Sequence, residues 1–174
     1  MYEHIQKVEK AVGIPITRVK SEQSYEYLML ECLIERKDNS LSTKQGGNSS
    51  NGYSWAGPKM RWCTSRLKDA PREKFLKPLR ENYNVLEYVG IAADEAWRCK
   101  DERYPLVEWG ITEAQALQAC YDRGFDFGGL YEIYHRASCW CCPFQRIDEL
   151  RKLRKHHPEL WEKLLELDRR ALAQ

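Results

Sequence analysis

The chain has 174 residues, 43% of them hydrophobic and 31% charged, with a formal net charge of +2; it is long enough for one domain, or for one domain with a helical extension. No run of about 18 apolar residues exists, which argues against a membrane span, and the opening stretch from Met1 to Lys7 lacks the apolar core of a signal peptide. A reducing, cytoplasmic setting is the expectation, and an odd count of seven cysteines fits free thiols or metal ligands better than a disulfide framework.

Residues 2–12 read as a short amphipathic helix, with Ile5, Val8 and Val12 on one face and Gly13 placed to end it. Ile14 to Val19 reads as a strand that Pro15 confines to an edge or a strand start. The apolar spacing of Tyr25, Leu28, Leu30, Cys32, Leu33 and Ile34 predicts a helix over 25–36. Asn, Ser and Gly then dominate, and Gly57-Pro58 closes a loop over 38–58. The Gly46 to Ser50 run has no following Lys-Ser/Thr and no preceding strand, so it is not a phosphate loop. Helical turns are expected over 61–68 and 71–81, with Pro71 at a helix start. Val85 to Ile91 reads as a mostly buried strand, and Asp94 to Arg103 as a polar connector. Thr112, with Gln115 three residues on, predicts a capped helix from Thr112 to Cys120. Gly124, Gly128 and Gly129 mark turns. Two helices, 145–155 and 158–172, are broken at His157-Pro158, and Leu160, Leu164 and Leu167 share one face of the second.

The chemistry-bearing residues begin with sulfur. Cys139, Cys141 and Cys142 fall within four residues, and Pro143 follows directly. A Cys-x2-Cys pair, Cys139 and Cys142, puts two thiolates on one tight turn. Cys120 lies upstream, and Cys63 is a candidate fourth ligand from a distant segment. Four thiolates suit a 4Fe–4S cluster or a structural zinc. Cys141 can replace Cys142 or stay spare, and Cys32 and Cys99 read as free thiols. The competing reading of the whole set is buried thiols with no metal.

Lys59 to Arg80 holds eight Lys or Arg against two acids, Asp69 and Glu73. That balance favours an anionic partner, or else marks a solvated helix face. Within it Arg61, Arg66 and Lys68 fall on one or two helical turns, where they can contact phosphate or sulfate oxygens. A third constellation follows Gly90: a strand end, then Asp94, Glu95 and Arg98 on a loop, the place where open α/β sheets bind ligands. Arg98 suits an anion contact, and Asp94 or Glu95 could orient an Arg or bind a metal.

Together these segments resemble the phosphoadenosine-phosphosulfate (PAPS) reductase family of the adenine-nucleotide alpha-hydrolase superfamily. The matching stretches are Gly57-Pro-Lys-Met-Arg-Trp-Cys-Thr-Ser-Arg-Leu-Lys68, Gly90-Ile-Ala-Ala-Asp-Glu-Ala-Trp-Arg98 and Tyr104-Pro-Leu-Val-Glu-Trp109. Gly124 to Tyr131 through Ser138-Cys-Trp-Cys-Cys-Pro-Phe-Gln145 resembles a cluster-bearing subgroup. The resemblance implies an α/β fold. Residues 1–110 would form a partial Rossmann-like, nucleotide-binding core, and 111–174 a cysteine-rich segment with C-terminal helices. It also implies an adenine nucleotide or adenylated sulfate as ligand and chemistry at its sulfur or α-phosphate. Two features depart from the family. Its Ser-Gly-Gly-x-Asp-Ser loop is absent from the sequence: either the chain is a truncated or split product, with an upstream segment supplying the loop, or the protein does without it, and the exposed edge of such a partial sheet would invite aggregation or a protein partner that completes it. The tail from Asp168 to Gln174 has no cysteine, which turns the expectation away from tail-thiol reduction and toward sulfur transfer or nucleotide-dependent modification.

The leading expectation is a PAPS reductase-like protein of sulfur metabolism, an oxidoreductase or a sulfur or nucleotidyl transferase. Arg61, Arg66, Lys68, Asp94, Glu95 and Arg98 would surround the nucleotide, and Cys63, Cys120, Cys139 and Cys142 would hold a 4Fe–4S cluster. The alternative is a non-catalytic, zinc-stabilised binding module or accessory subunit. Nucleic-acid binding through Lys59–Arg80 ranks below both, because only Trp62 and Phe75 supply aromatics there and no DNA-binding motif accompanies them.

Overall fold

The computed structural model describes residues 2–35 and 49–173. In chain order these form α1 (Tyr2–Val12), α2 (Tyr25–Leu30), β1 (Leu33–Glu35), β2 (Ser49–Asn51), α3 (Trp62–Thr64), a π-helical turn (Ser65–Asp69) and α4 (Ala70–Asn82). A 3-10 turn (Ala93–Arg98), α5 (Pro105–Glu108), α6 (Glu113–Tyr121), a second 3-10 turn (Phe127–Gly129), α7 (Leu130–Ile133), α8 (Ile147–His156) and α9 (Pro158–Leu172) follow. The described residues are mostly helical. Their sheet is one antiparallel pair, in which Leu33 faces Asn51, Ile34 faces Ser50 and Glu35 faces Ser49. None of the described helices is long and apolar enough to cross a membrane.

The described residues form no Rossmann-like parallel sheet. The expected strand at Val85 to Ile91 is reduced to a single parallel bridge between Tyr88 and Arg103. The physical reason is exposure: parallel strands are covered on both faces, whereas Leu86 and Tyr88 are each 62% exposed. Among the described residues, Ile14 to Val19 joins no ladder either. Ile14 is exposed, and the Ile16 N–H donates to the Glu9 carboxylate at 2.7 Å instead of to a neighbouring strand. The loop expected over 38–58 falls partly outside the described residues, and Ser49–Asn51 within it forms β2.

The chain divides into two compact units, one made of Met1–Thr17 with Leu76–Glu132 and the other of Arg18–Phe75 with Ile133–Gln174. In the first, Gly13 adopts φ +72° and its N–H donates to Glu9 O at 2.9 Å, closing α1. The His4 ring packs on Phe127 at 4.4 Å and on Phe125 at 5.7 Å. The start of α6 is the expected capping box: Thr112 Oγ1 accepts from the Gln115 N–H at 3.3 Å, and Gln115 Oε1 accepts from the Thr112 N–H at 2.9 Å.

The second unit carries a core of Leu28, Met29, Leu30, Cys32, Ala56, Trp62, Cys141 and Leu167. Helix α2 begins at Ser24, whose hydroxyl accepts from the Tyr27 N–H at 3.0 Å. It ends six residues before the pattern predicted, because another part of the chain takes its last carbonyls. The N–H groups of Gly52, Tyr53 and Ser54 donate to the carbonyls of Cys32, Leu28 and Met29 at 2.8, 2.9 and 2.9 Å, satisfying groups that a helix end leaves orphaned. Gly52 sits at φ +70°, and a Cβ there would stand 2.1 Å from Met29 O. This close strap cuts the helix short and sends Leu33–Glu35 into β1. Helices α8 and α9 meet at His157, with Pro158 opening α9 as the sequence predicts. Arg170 on α9 pairs with Glu26 and, at 3.1 Å, with Glu31.

Candidate functional site

Four of the seven cysteines belong to the second unit's sulfur-rich region: Cys63, Cys139, Cys141 and Cys142. Cys63 is placed by the single turn α3, whose neighbour Trp62 is buried and donates through Nε1 to Ser54 O at 3.0 Å. The π-helical turn that follows inserts an extra residue into the helical path, a distortion often found at functional sites. The other three cysteines share a tight loop. The Cys142 N–H donates to Cys139 O at 3.1 Å, and the Gln145 N–H donates to Cys142 O at 3.2 Å. The Gln145 side-chain amide donates to the carbonyls of Cys139 and, at 3.0 Å, of Trp140, so one side chain staples the loop. The loop aims its sulfurs differently: Cys141 is 7% exposed within the core, Cys142 is half-buried and Cys139 is exposed.

Tyr25, at the first turn of α2, joins the two cysteine segments. Its ring packs against Trp62 with centroids 5.0 Å apart, and it belongs to the same cluster as Cys63 and Cys141. Its hydroxyl oxygen is buried with no oxygen or nitrogen partner, and the Cys141 thiol is its hydrogen-bonding neighbour. Burial pushes this hydroxyl well above the usual tyrosine range. The neighbouring Cys141 and Cys63 push the same way, as do a side-chain hydrogen bond with Cys141 and, last, Cys142. Sulfurs from two distant segments therefore lie within electrostatic reach of one buried oxygen. Burial likewise pushes the Cys141 thiol up to about 11, with Cys139 adding to the effect, so Cys141 is a neutral thiol at pH 7.

Thiols as a donor type suit a thiophilic metal or an iron–sulfur cluster. The resting side chains do not form a closed cage: among the described residues, no three Cys, His, Asp or Glu side chains gather closely enough to hold a metal ion. Cys120 lies in the first unit, on the last turn of α6, where its carbonyl accepts from the Phe125 N–H at 2.9 Å. Cys32 is buried and donates its S–H to Leu28 O at 3.2 Å, a packing role. Cys99 is half-buried at the end of a 3-10 turn in the first unit.

The cations divide in the same way. Arg61, Arg66 and Lys68 are exposed in the second unit. The Arg61 guanidinium lies 4.8 Å from the Phe144 ring centre, and Arg66 donates to Tyr53 Oη at 3.3 Å. Asp94, Glu95 and Arg98 lie in the first unit and have local partners. Asp94 accepts the Glu113 N–H at 3.0 Å, supporting the start of α6, and Arg98 pairs with Glu95. Phe144 lies inside the Ser138–Gln145 stretch, but Tyr25 carries no motif signature. Only the apolar run after Tyr25 marks it, and that signals core.

Compared with known proteins, the chain matches no family model and no solved structure. An uncharacterized protein of Methanocaldococcus jannaschii is 26% identical to it over 184 aligned positions, covering 92% of this chain. The chain spans 31% of that relative's length.

Proposed function

We propose that the chain is a PAPS reductase-like protein of sulfur metabolism, binding an adenine nucleotide or adenylated sulfate and carrying a 4Fe–4S cluster. Cys63, Cys139 and Cys142 would hold the cluster with a fourth thiol. Arg61, Arg66 and Lys68 would take the anionic groups of the nucleotide. The observation that carries this reading is the packing of Tyr25 and Cys63 against the core cluster that holds Trp62 and Cys141, with Arg61 seated on Phe144 of the same loop. The resemblance at Gly57–Lys68, Gly90–Arg98 and Ser138–Gln145 supplies the rest, including the finer architecture, a partial Rossmann-like core over residues 1–110 that a protein partner completes. A bound cluster would supply charge and a fixed anchor for two chain segments; the residues of this chain would bind and orient the nucleotide.

Anaerobic purification tests the proposal. Iron and acid-labile sulfide in equal amounts, with a brown colour and absorbance near roughly 400 nm, support it. A protein that is colourless, or that binds neither PAPS nor ATP at millimolar levels, sinks it. One observation favours a second reading, a zinc-stabilised binding module: the described residues form no Rossmann-like sheet. Stoichiometric zinc, no iron and no nucleotide affinity would select that module.

A further inference from the structure

We infer that the Cys139–Cys142 turn is a thiol–disulfide exchange site: exposed Cys139 takes up half of a low-molecular-weight disulfide, and Cys142 releases it by closing a reversible bond to Cys139. The two residues are the first and fourth of a turn closed by the Cys142 N–H on Cys139 O at 3.1 Å. Such a turn holds its end Cα atoms within about 7 Å, and a disulfide spans about 4.4–6.8 Å between Cα atoms. A second turn follows directly, closed by the Gln145 N–H on Cys142 O. The Gln145 side-chain amide holds the carbonyls of Cys139 and Trp140. The backbone that presents the pair is thus ordered before any bond forms, and closure has little left to order. Burial assigns the roles. Cys139 is open to a reagent in solution, Cys142 is half-buried one turn away, and Cys141 is buried in the core.

The Cys139 thiolate attacks one sulfur of the small disulfide. The S–S bond of that molecule breaks, and one small thiol leaves with the electron pair and takes up a proton. Cys142 gives up its own proton, attacks the Cys139 sulfur and expels the second small thiol. The dithiol of the chain loses two electrons and two protons, and the small disulfide gains both. A dithiol reductant reverses the steps. No metal takes part. Where the loop holds a metal, as proposed above, the disulfide state excludes it, because a cysteine ligand must be a thiolate.

The experiment exposes the reduced, chelator-treated full chain, as wild type, Cys139→Ser and Cys142→Ser, to glutathione disulfide at pH 8 and reads intact mass. Wild type should lose two hydrogens, keep no glutathione and recover its mass with dithiothreitol. Cys142→Ser should stall with one glutathione on Cys139, and Cys139→Ser should gain neither bond. A second measurement needs no variant: oxidised wild type, denatured and alkylated, should label at Cys141 and not at Cys139 or Cys142. Glutathione retained by wild type, no reaction, or a disulfide still closed in either variant overturns the inference; the last result would make Cys141 or Cys63 a partner. Iron content and nucleotide binding do not enter this readout, so its failure leaves the reading above standing, and failure of that reading leaves this one.

Discussion

Arg61 seats its guanidinium 4.8 Å from the centre of the Phe144 ring, so the first arginine of the basic stretch rests on a residue of the cysteine loop. Arg61→Ala removes a cation able to make charge-assisted bonds to an anionic ligand, each worth about 1.5–3 kcal/mol. The expected result is a loss of adenine-nucleotide affinity of about tenfold or more by calorimetry. Phe144→Leu keeps the charge but removes the aromatic seat, worth about 0.5–1 kcal/mol at an exposed site, and should cost only a few-fold. Wild-type affinity in Arg61→Ala would show that this arginine binds no ligand.

Substitution of the sulfurs should be selective. Cys63→Ser and Cys142→Ser are each expected to lower bound metal to below about half of the wild-type stoichiometry, since a thiolate set loses its closure when one member goes. Cys32→Ser should leave it unchanged, because that thiol is spent on Leu28 O. Metal analysis of Cys141→Ser and Cys120→Ser beside these identifies the fourth ligand.

Gly52→Ala should be among the most damaging changes to stability. Its backbone is left-handed, which costs a residue with a side chain roughly 1–2 kcal/mol, and its new Cβ would also stand 2.1 Å from the Met29 carbonyl. The strap would have to lift from the end of α2. Gly13→Ala is the control: φ is again positive, at +72°, but nothing lies within 4 Å of the added carbon. Thermal unfolding should show a clearly larger drop for Gly52→Ala. Equal drops would mean that the strap yields freely.

Alkaline pH should destabilise the metal-free protein. The Cys141 thiol ionises at about 11 in the folded chain and near 8.5 when unfolded. Between those values the unfolded state releases its proton while the folded state keeps it, so stability falls as pH rises through that window and is untouched below it. The loss is on the order of 2–3 kcal/mol by pH 11. Urea unfolding at pH 8 and pH 10.5 checks this, and Cys141→Ala should flatten the difference. At pH 8 iodoacetamide should label exposed Cys139 and spare Cys141, as read by peptide mass spectrometry.

Local signals are legible in the sequence at several points where local chemistry decides the structure. Gly13 ends α1, Thr112 and Gln115 cap α6, and His157-Pro158 separates α8 from α9, because caps and proline act within one turn. Where distant contacts decide, the local pattern is not enough. Apolar spacing over 25–36 fits a helix, but the strap at 52–54 competes for its carbonyls. Val85 to Ile91 has strand composition, but among the described residues only its bridge to Arg103 pairs it, and Leu86 and Tyr88 stay exposed. The cysteines announced themselves by spacing, and the burial of Cys141 did not, since the loop's outward or inward aim depends on the packing of Trp62 and Leu167. Tyr25 reads simply as core until its hydroxyl is placed among sulfurs.

Trp62 touches the rings of both Tyr25 and Tyr53, at 5.0 and 5.5 Å, and is followed immediately by Cys63. An indole one residue from a thiol, in the core cluster that also holds Cys141, is an optical sensor already built into the molecule. Its emission will dim or shift when charge or metal arrives at that thiol, so occupancy can be followed in the native chain without attaching a dye.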